Sequence, residues 1–403
     1  MLLHLLPAAL AALPPECLPP EDGGTAIYLL TMPPGAELYA RFGHSGLWVV
    51  TPEAARRSVP GGTVYNFGVF RPSPTMVKDW LRGEQQYWLG RSSFIATLRR
   101  YEGWGRGVEA QRLDLPPEVA DALAQQLSEL ALPENAAYRY HWLTNNCATR
   151  PRDLLDAALG GTLAAQHQGP SGVTARHEAL RHLAVDVPVA ALIDYLMGPA
   201  ADRELSAWET WFMPLDMQTG VAASQGPSGP LVVATCTLAP QTHPMPPAAP
   251  PDRRPAALGL GVLLGGLTAA MGGRWRIRRA LGGLLMAATG LVLGVPGLLS
   301  AGLWAGSPLW SSWRNPDLAL ANPLSLLLFP VGLAVVFGKG LTTARRLSGL
   351  LLGVAAVGVL LSWALTPDRG QGGLALAIVP VLTGIRIMAG RLCACATPIS
   401  GAK

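Results

Sequence analysis

The chain has 403 residues, half of them hydrophobic and only 14% charged. That is longer than one ordinary domain and too apolar for a wholly soluble protein. The formal charge of +5 raises nucleic acid as a partner, but many C-terminal Arg and Lys residues fall between apolar runs, where they report membrane orientation, and no nucleic-acid signature is present.

In chain order, Leu2 to Leu13 is an apolar run of signal-peptide size without a basic n-region, so residues 1–20 read as an export signal or N-terminal anchor. Residues 21–240 hold nearly all the acidic groups and read as one extracytoplasmic globular domain. Within it Ala26–Thr31, Gly46–Val50 and Thr63–Val69 are short β-branched and aromatic runs bounded by Gly and Pro, which predicts three strands. Apolar residues Val119, Leu123, Leu127 and Leu130 recur at helical spacing after Pro116-Pro117, and a second helix is expected over Asp153–Leu159, stopping at Gly160-Gly161. The domain is therefore mixed α+β.

After a Pro-rich linker at 241–255, residues 256–403 read as a membrane domain. Five apolar segments, near 256–272, 280–302, 318–338, 347–365 and 373–390, approach the ~20 residues a bilayer needs, the first at the short end. Arg274, Arg276, Arg278 and Arg279 follow the first segment, Lys339, Arg345 and Arg346 the third, and Arg391 and Lys403 the fifth. The alternate connections carry only Arg314 and Arg369, so the positive-inside rule puts the soluble domain outside and the C-terminus in the cytoplasm. Trp304, Trp310 and Trp313 then fall in an outer loop, as an interfacial belt or a roof for the site, and Arg386 lies inside an apolar span, where it can snorkel.

Five cysteines, Cys17, Cys147, Cys236, Cys393 and Cys395, are too few and scattered for a disulfide framework, so no disulfide is expected to be required and Cys17 reads as incidental. Cys147 stands apart. It ends the run Tyr140-His141-Trp142-Leu143-Thr144-Asn145-Asn146-Cys147 and leads into the second helix, where the macrodipole and free N–H groups favour thiolate over thiol. About a hundred residues earlier, Gly43-His44-Ser45-Gly46 heads an apolar strand, with glycines that permit close approach. An imidazole beside the thiol can take its proton and return it to a leaving group.

Asn66 is the first choice to orient the imidazole, with Ser45 and Asn145 behind it. The N–H of Cys147 and the Asn146 amide are candidate oxyanion donors, Ser45 and Arg150 candidate substrate contacts, and His141 an alternative base. Arg150 and Arg152 also fit a solvated helix face. His177 and His182 read as one helix face and Cys393-Ala394-Cys395 as a reduced tail, so neither a metal site nor a cofactor is expected. Pro151, four residues after Cys147, requires the helix either to begin near Thr149 or to have a distorted first turn.

Four blocks in this order, Glu37-Leu38-Tyr39-Ala40-Arg41-Phe42-Gly43-His44-Ser45-Gly46, Tyr65-Asn66-Phe67-Gly68, Asn146-Cys147-Ala148-Thr149-Arg150 and Ala201-Asp202-Arg203-Glu204-Leu205-Ser206-Ala207-Trp208-Glu209, resemble the Lnb-type lipoprotein N-acyltransferases over residues 25–220. Asn315 and Asn322-Pro323-Leu324 fit the same architecture. The resemblance implies a circularly permuted papain-like (NlpC/P60-like) domain followed by transmembrane helices in the bacterial inner membrane, with the catalytic domain in the periplasm. It implies acyl transfer from membrane phospholipid, through a Cys147 thioester, to the N-terminal amine of a diacylated lipoprotein. Two other readings stay open: a membrane-anchored cysteine hydrolase of peptide or peptidoglycan, and a non-catalytic envelope scaffold.

Overall fold

The computed structural model describes residues 17–19, 23–57, 61–71, 73–273, 275–365 and 372–396. The export signal read at 1–20 lies outside these except for Cys17–Pro19, as do Arg274, Arg369 and Lys403. The chain divides into two compact units, one comprising residues up to Val185 together with Glu204–Pro250, the other Asp186–Arg203 together with Pro251 onward.

The first unit is built on a seven-stranded antiparallel sheet of β1 (Ala26–Met32), β2 (His44–Val50), β3 (Thr63–Val69), β4 (Gln86–Ser93), β5 (Val108–Leu113), β6 (Ala137–Arg139) and β7 (Val232–Ala239). Their order across the sheet is β7-β5-β1-β2-β3-β4-β6. The three strands expected from sequence are its centre, so their residues must be apolar on both faces. Ile27, Leu29, Leu47, Val49, Tyr65 and Phe67 face one core. Their alternates Tyr28, Leu30, Trp48, Val50 and Val64 face the other.

The first core is closed by α2 (Pro117–Leu130), α3 (Thr149–Ala158) and α5 (Pro214–Ala223), through Leu123, Leu127, Leu155, Met217 and Val221. The second is closed by α1 (Phe94–Gly103), whose Phe94 ring stacks 4.0 Å from that of Trp48. β7 reads Val-Val-Ala-Thr-Cys-Thr-Leu-Ala and runs along the outer side of β5, pairing Cys236 with Ala110.

One cysteine expectation is corrected. Cys17 and Cys236, both buried in the second core, form a disulfide with their Cα atoms 6.3 Å apart. The Tyr28 hydroxyl donates to the Cys17 carbonyl at 3.1 Å. Counting and spacing failed here because the partners are 219 residues apart and meet only when β7 docks on the sheet. Such a bond belongs to an oxidising compartment, which agrees with an exported domain.

The second unit is apolar and helical. It contains α4 (Val187–Leu196), α6 (Arg254–Ala270), α7 (Arg276–Gly306), α8 (Leu328–Val336), α9 (Leu341–Leu365) and α10 (Gly372–Ala396). Five spans are expected from sequence. Among the described residues four segments, Arg276–Gly306, Pro316–Val336, Leu341–Ala364 and Gly373–Cys395, are long and apolar enough to cross a membrane, while Arg254–Ala270 is a shorter apolar helix of 17 residues. The third segment is not one α-helix. Asn315-Pro316 and Asn322-Pro323 open two 3-10 turns, Pro316–Ala319 and Pro323–Leu327, before α8 begins.

Small residues set the spacing of these helices, as expected where lipid removes the hydrophobic drive between them. A side chain at Gly261 of α6 would come within 2.6 Å of the Leu376 and Ala377 carbonyls of α10, and Gly265 and Gly384 pack backbone against backbone in the same pair. The excursion Asp186–Arg203 is tied to the connection after α7: Asn315 donates to the Tyr195 carbonyl, the Tyr195 hydroxyl donates to Ala321 O at 2.5 Å, and Gly198 N–H donates to Ser311 O at 2.7 Å.

Candidate active site

His44 opens β2, and its position follows from the turn before it. Gly43 has φ +77°, a conformation that costs an L side chain, and a Cβ there would press within 3.1 Å of Met32 O. Met32 pairs with His44 across β1 and β2. The His44 Nε2 meets Asn66 Oδ1 at 3.2 Å, and Asn66 Nδ2 donates onward to Ser92 Oγ at 3.3 Å. Ser92 Oγ meets Thr97 Oγ1 at 2.7 Å, and Thr97 Oγ1 donates to Ser93 O. The carboxamide of Asn66 is thus fixed from behind, and its oxygen holds one imidazole nitrogen.

Cys147 comes to the same strand end. The Ser45 backbone lies close enough to the sulfur to act on its titration. Its Cβ lies 3.4 Å from where a Cβ on Gly68 would stand. Gly68 has φ +88° and sits where the β3–β4 register shifts between Asn66 and Val69, so the strand turns its bare backbone toward the thiol. His44, Ser45, Asn66 and Cys147 are therefore gathered at one end of β2 and β3.

The helix after Cys147 begins at Thr149 with Ala148 as its cap, so Cys147 precedes it by two residues and Pro151 falls in the first turn, where no donor is needed. The expected dipole effect is weaker for it. Burial pushes the Cys147 thiol above its ordinary value, outweighing the Ser45 and Cys147 N–H groups and the Arg106 charge, which pull it down. His44 is lowered to about 4, first by burial and then by Arg106, against the Asn66 hydrogen bond. Thiol and imidazole both rest uncharged near neutrality, and the proton moves only when a substrate is attacked.

Asn146 serves the loop. Its Oδ1 accepts from the Ala148 and Thr149 N–H groups at 2.8 and 2.9 Å, and its Nδ2 donates to Trp142 O and Phe212 O. With those donors committed, the amide is not presented to a substrate. His141 turns its Nδ1 to the Leu143 and Thr144 N–H groups and closes the turn through a bridge with Asn145, whose own amide donates to Arg139 O. The Arg150 guanidinium lies 4.3 Å over the Tyr138 ring, and that of Arg152 lies 4.4 Å over Trp208.

Sequence reasoning missed Arg106 and Tyr101. Arg106 is 4% exposed, donates from Nε to Pro33 O at 3.0 Å and from Nη2 to Met32 O at 3.2 Å, and lies 4.9 Å over the Tyr101 ring. Tyr101 in turn stacks 6.4 Å from the His44 ring. The guanidinium thereby holds the β1 end opposite His44 and sets a positive charge that both catalytic candidates feel. Arg106 follows Trp104-Gly105 in an unremarkable stretch, and no local signal marks it.

An aromatic cluster adjoins Cys147 through Tyr87 and Tyr140. Tyr87 stacks on Tyr140 at 4.3 Å and lies 5.3 Å from Phe70, which meets the exposed Tyr39 edge-on at 5.8 Å. Leu38 and Val69, beside them in sequence, are exposed. Burial and the Cys147 charge raise the Tyr87 and Tyr140 phenols, so both stay protonated.

Residues 24–181, which include His44, Asn66, Arg106 and Cys147, match the family model of the Lnb N-terminal periplasmic domain. Comparisons with curated proteins and with solved structures found no match.

Proposed function

We propose, from the premise that residues 24–181 belong to the Lnb N-terminal periplasmic domain family and are followed by apolar C-terminal helices, that this chain is a lipoprotein N-acyltransferase of the bacterial inner membrane with a papain-like catalytic arrangement. The observation that carries the reading is the convergence of the Cys147 sulfur, the Ser45 N–H and the His44–Asn66 pair at one strand end.

In the first half-reaction the Cys147 sulfur attacks the acyl carbonyl of a phospholipid ester while His44 accepts the thiol proton. The tetrahedral oxyanion is stabilised by the backbone N–H groups of Ser45 and Cys147, the two whose backbones act on the thiol. The C–O bond breaks, His44 returns the proton to the leaving alkoxide, and a lysophospholipid departs. In the second half, the α-amine of a diacylated N-terminal cysteine attacks the thioester. His44 takes a proton from the amine and delivers it to the departing Cys147 sulfur, leaving an amide and the resting thiol. Asn66 keeps the imidazole aligned throughout, and the exposed apolar surface of Leu38, Tyr39 and Val69, with Phe70 against Tyr39, suits a fatty acyl chain.

The test is mass spectrometry of lipoprotein N-termini in cells whose only such enzyme is this chain. Cys147→Ala and Cys147→Ser are expected to leave diacylated, free-amine termini, and wild-type protein quenched with donor lipid is expected to carry a fatty acyl mass on Cys147. Normal N-acylation by Cys147→Ala would overturn the proposal.

A further inference from the structure

The helical unit contains a charged cavity that the acyl-transfer chemistry does not use. It measures about 570 Å³ and is lined by Thr342, Arg345, Arg346 and Gly349 of α9 and by Arg386 of α10. Arg386 lies nine residues inside the end of its apolar span at Cys395, about 14 Å along the axis at 1.5 Å per residue. A guanidinium within an apolar span favours an anionic partner where it snorkels toward the helix end. Its Nη1 donates to Arg345 O at 2.8 Å, and the guanidinium lies against bare Gly349, where any side chain would collide with it.

That geometry brings three cations to one cavity with no anion among them. Neither α9 nor α10 contains an Asp or Glu, and after Asp317 the sequence has only Asp368, which falls between the two helices in sequence. Among the described residues no carboxylate lines the cavity to answer these charges. Beside the cavity the surface is apolar: Leu350, one turn beyond Arg346, and Ile387, next to Arg386, are 56% and 41% exposed. A polyanionic oxygen cluster joined to long apolar chains fits both features, since planar guanidinium forks match phosphate oxygens and Leu350 and Ile387 border a surface for hydrocarbon.

We propose that this cavity binds the phosphate of an anionic glycerophospholipid. The site is separate in chemistry from Cys147 and holds whether or not that residue acts as proposed. Full-length protein, stripped of lipid in neutral detergent, would be titrated with phosphatidylglycerol and read by native mass spectrometry. A saturable adduct is expected. Combining Arg345→Gln, Arg346→Gln and Arg386→Gln should weaken it roughly tenfold or more, while Arg276→Gln with Arg278→Gln, exposed cations elsewhere, should leave it unchanged. Gly349→Leu, which keeps every charge but displaces Arg386, should weaken it as well, and thermal unfolding would show that each variant is folded. Cys147→Ala should bind as wild type. Equal binding by the triple variant, equal binding of phosphatidylcholine, or displacement of the lipid by millimolar inorganic phosphate would overturn the proposal, the last marking a site for a soluble anion.

Discussion

Arg106 in the sheet unit and Arg386 in the helical unit answer the same difficulty in different ways. Arg106 is enclosed, and the fold supplies its partners: two backbone carbonyls at the end of β1 and the Tyr101 ring. Arg386 has one carbonyl and a glycine surface, and its side chain opens outward on a helix pair without carboxylates. Where the chain can wrap a charge, it satisfies that charge internally and uses it to bias neighbouring groups. Where helices must present apolar faces to lipid, the charge is left to recruit a partner. Glycine divides similarly, permitting positive φ at Gly43 and Gly68 in one unit and close helix packing at Gly261 and Gly265 in the other.

The strongest way to break this picture is at the enclosed site. His44→Gln is expected to slow thioester formation by roughly 10²- to 10⁴-fold, the span of general-base contributions. Asn66→Ala, which removes one hydrogen bond from the imidazole, should cost roughly tenfold. Single-turnover transfer from a labelled phospholipid would measure both. An Asn66→Ala loss equal to that of His44→Gln would mean that Asn66 does more than orient.

Next in size is the disulfide. Reducing it, or Cys17→Ser, frees a loop of 219 residues and should lower unfolding stability of the sheet unit by about 2–5 kcal/mol in the chain-entropy account. Denaturant unfolding with and without a reductant would show it. No change on reduction would mean that β7 docks equally well without its covalent tie.

Arg106→Gln sharpens the comparison through pH. With His44 lowered to about 4, transfer should hold from pH 8 to about 5 and fall as the imidazole is protonated near 4. Removing the guanidinium withdraws the repulsion that lowers His44, so the acid limb should move upward. It also withdraws an attraction for the Cys147 anion, so the thiol should titrate higher in an iodoacetamide rate profile. Both shifts together are the signature of a charge acting on the pair. A loss of rate with neither limb moved would reduce Arg106 to a clamp on β1.

The parts legible in sequence were those written locally. The central strands, the helix on Leu123 and Leu127, and His44 and Asn66 as neighbours all followed from short patterns, because β2 and β3 are adjacent in chain and sheet alike. β7 was missed although its alternation is regular, since it pairs with β5 from more than a hundred residues away. The same distance hid the disulfide. Arg106 could not be read because its role depends on carbonyls at Met32 and Pro33. The association of Asp186–Arg203 with the apolar unit rests on Asn315 meeting a backbone carbonyl at Tyr195, and residue types do not announce such a contact.

The smallest expected effect concerns a second enclosed charge group, at Asp216. Its carboxylate accepts from Arg181 Nη2 at 3.3 Å, while Arg181 Nε is taken by Glu178 at 2.6 Å. Burial first, and then repulsion from Glu178, hold the Asp216 carboxyl well above the usual range. A carboxyl that binds its proton more tightly folded than unfolded stabilises the fold at low pH, and that contribution is lost as pH rises through the folded value. His182, lowered to about 4 mainly by burial, works the other way below pH 6.5. Between roughly pH 5 and 8 the unit should therefore lose stability with rising pH at Asp216. Asp216→Asn should remove that slope and raise the pH 8 unfolding midpoint, by an amount of order 1 kcal/mol once the loss of the Arg181 contact is set against it. A variant less stable than wild type at pH 8 would show that the Arg181 pairing outweighs the repulsion, and that this unit satisfies its buried carboxylates as fully as it does Arg106.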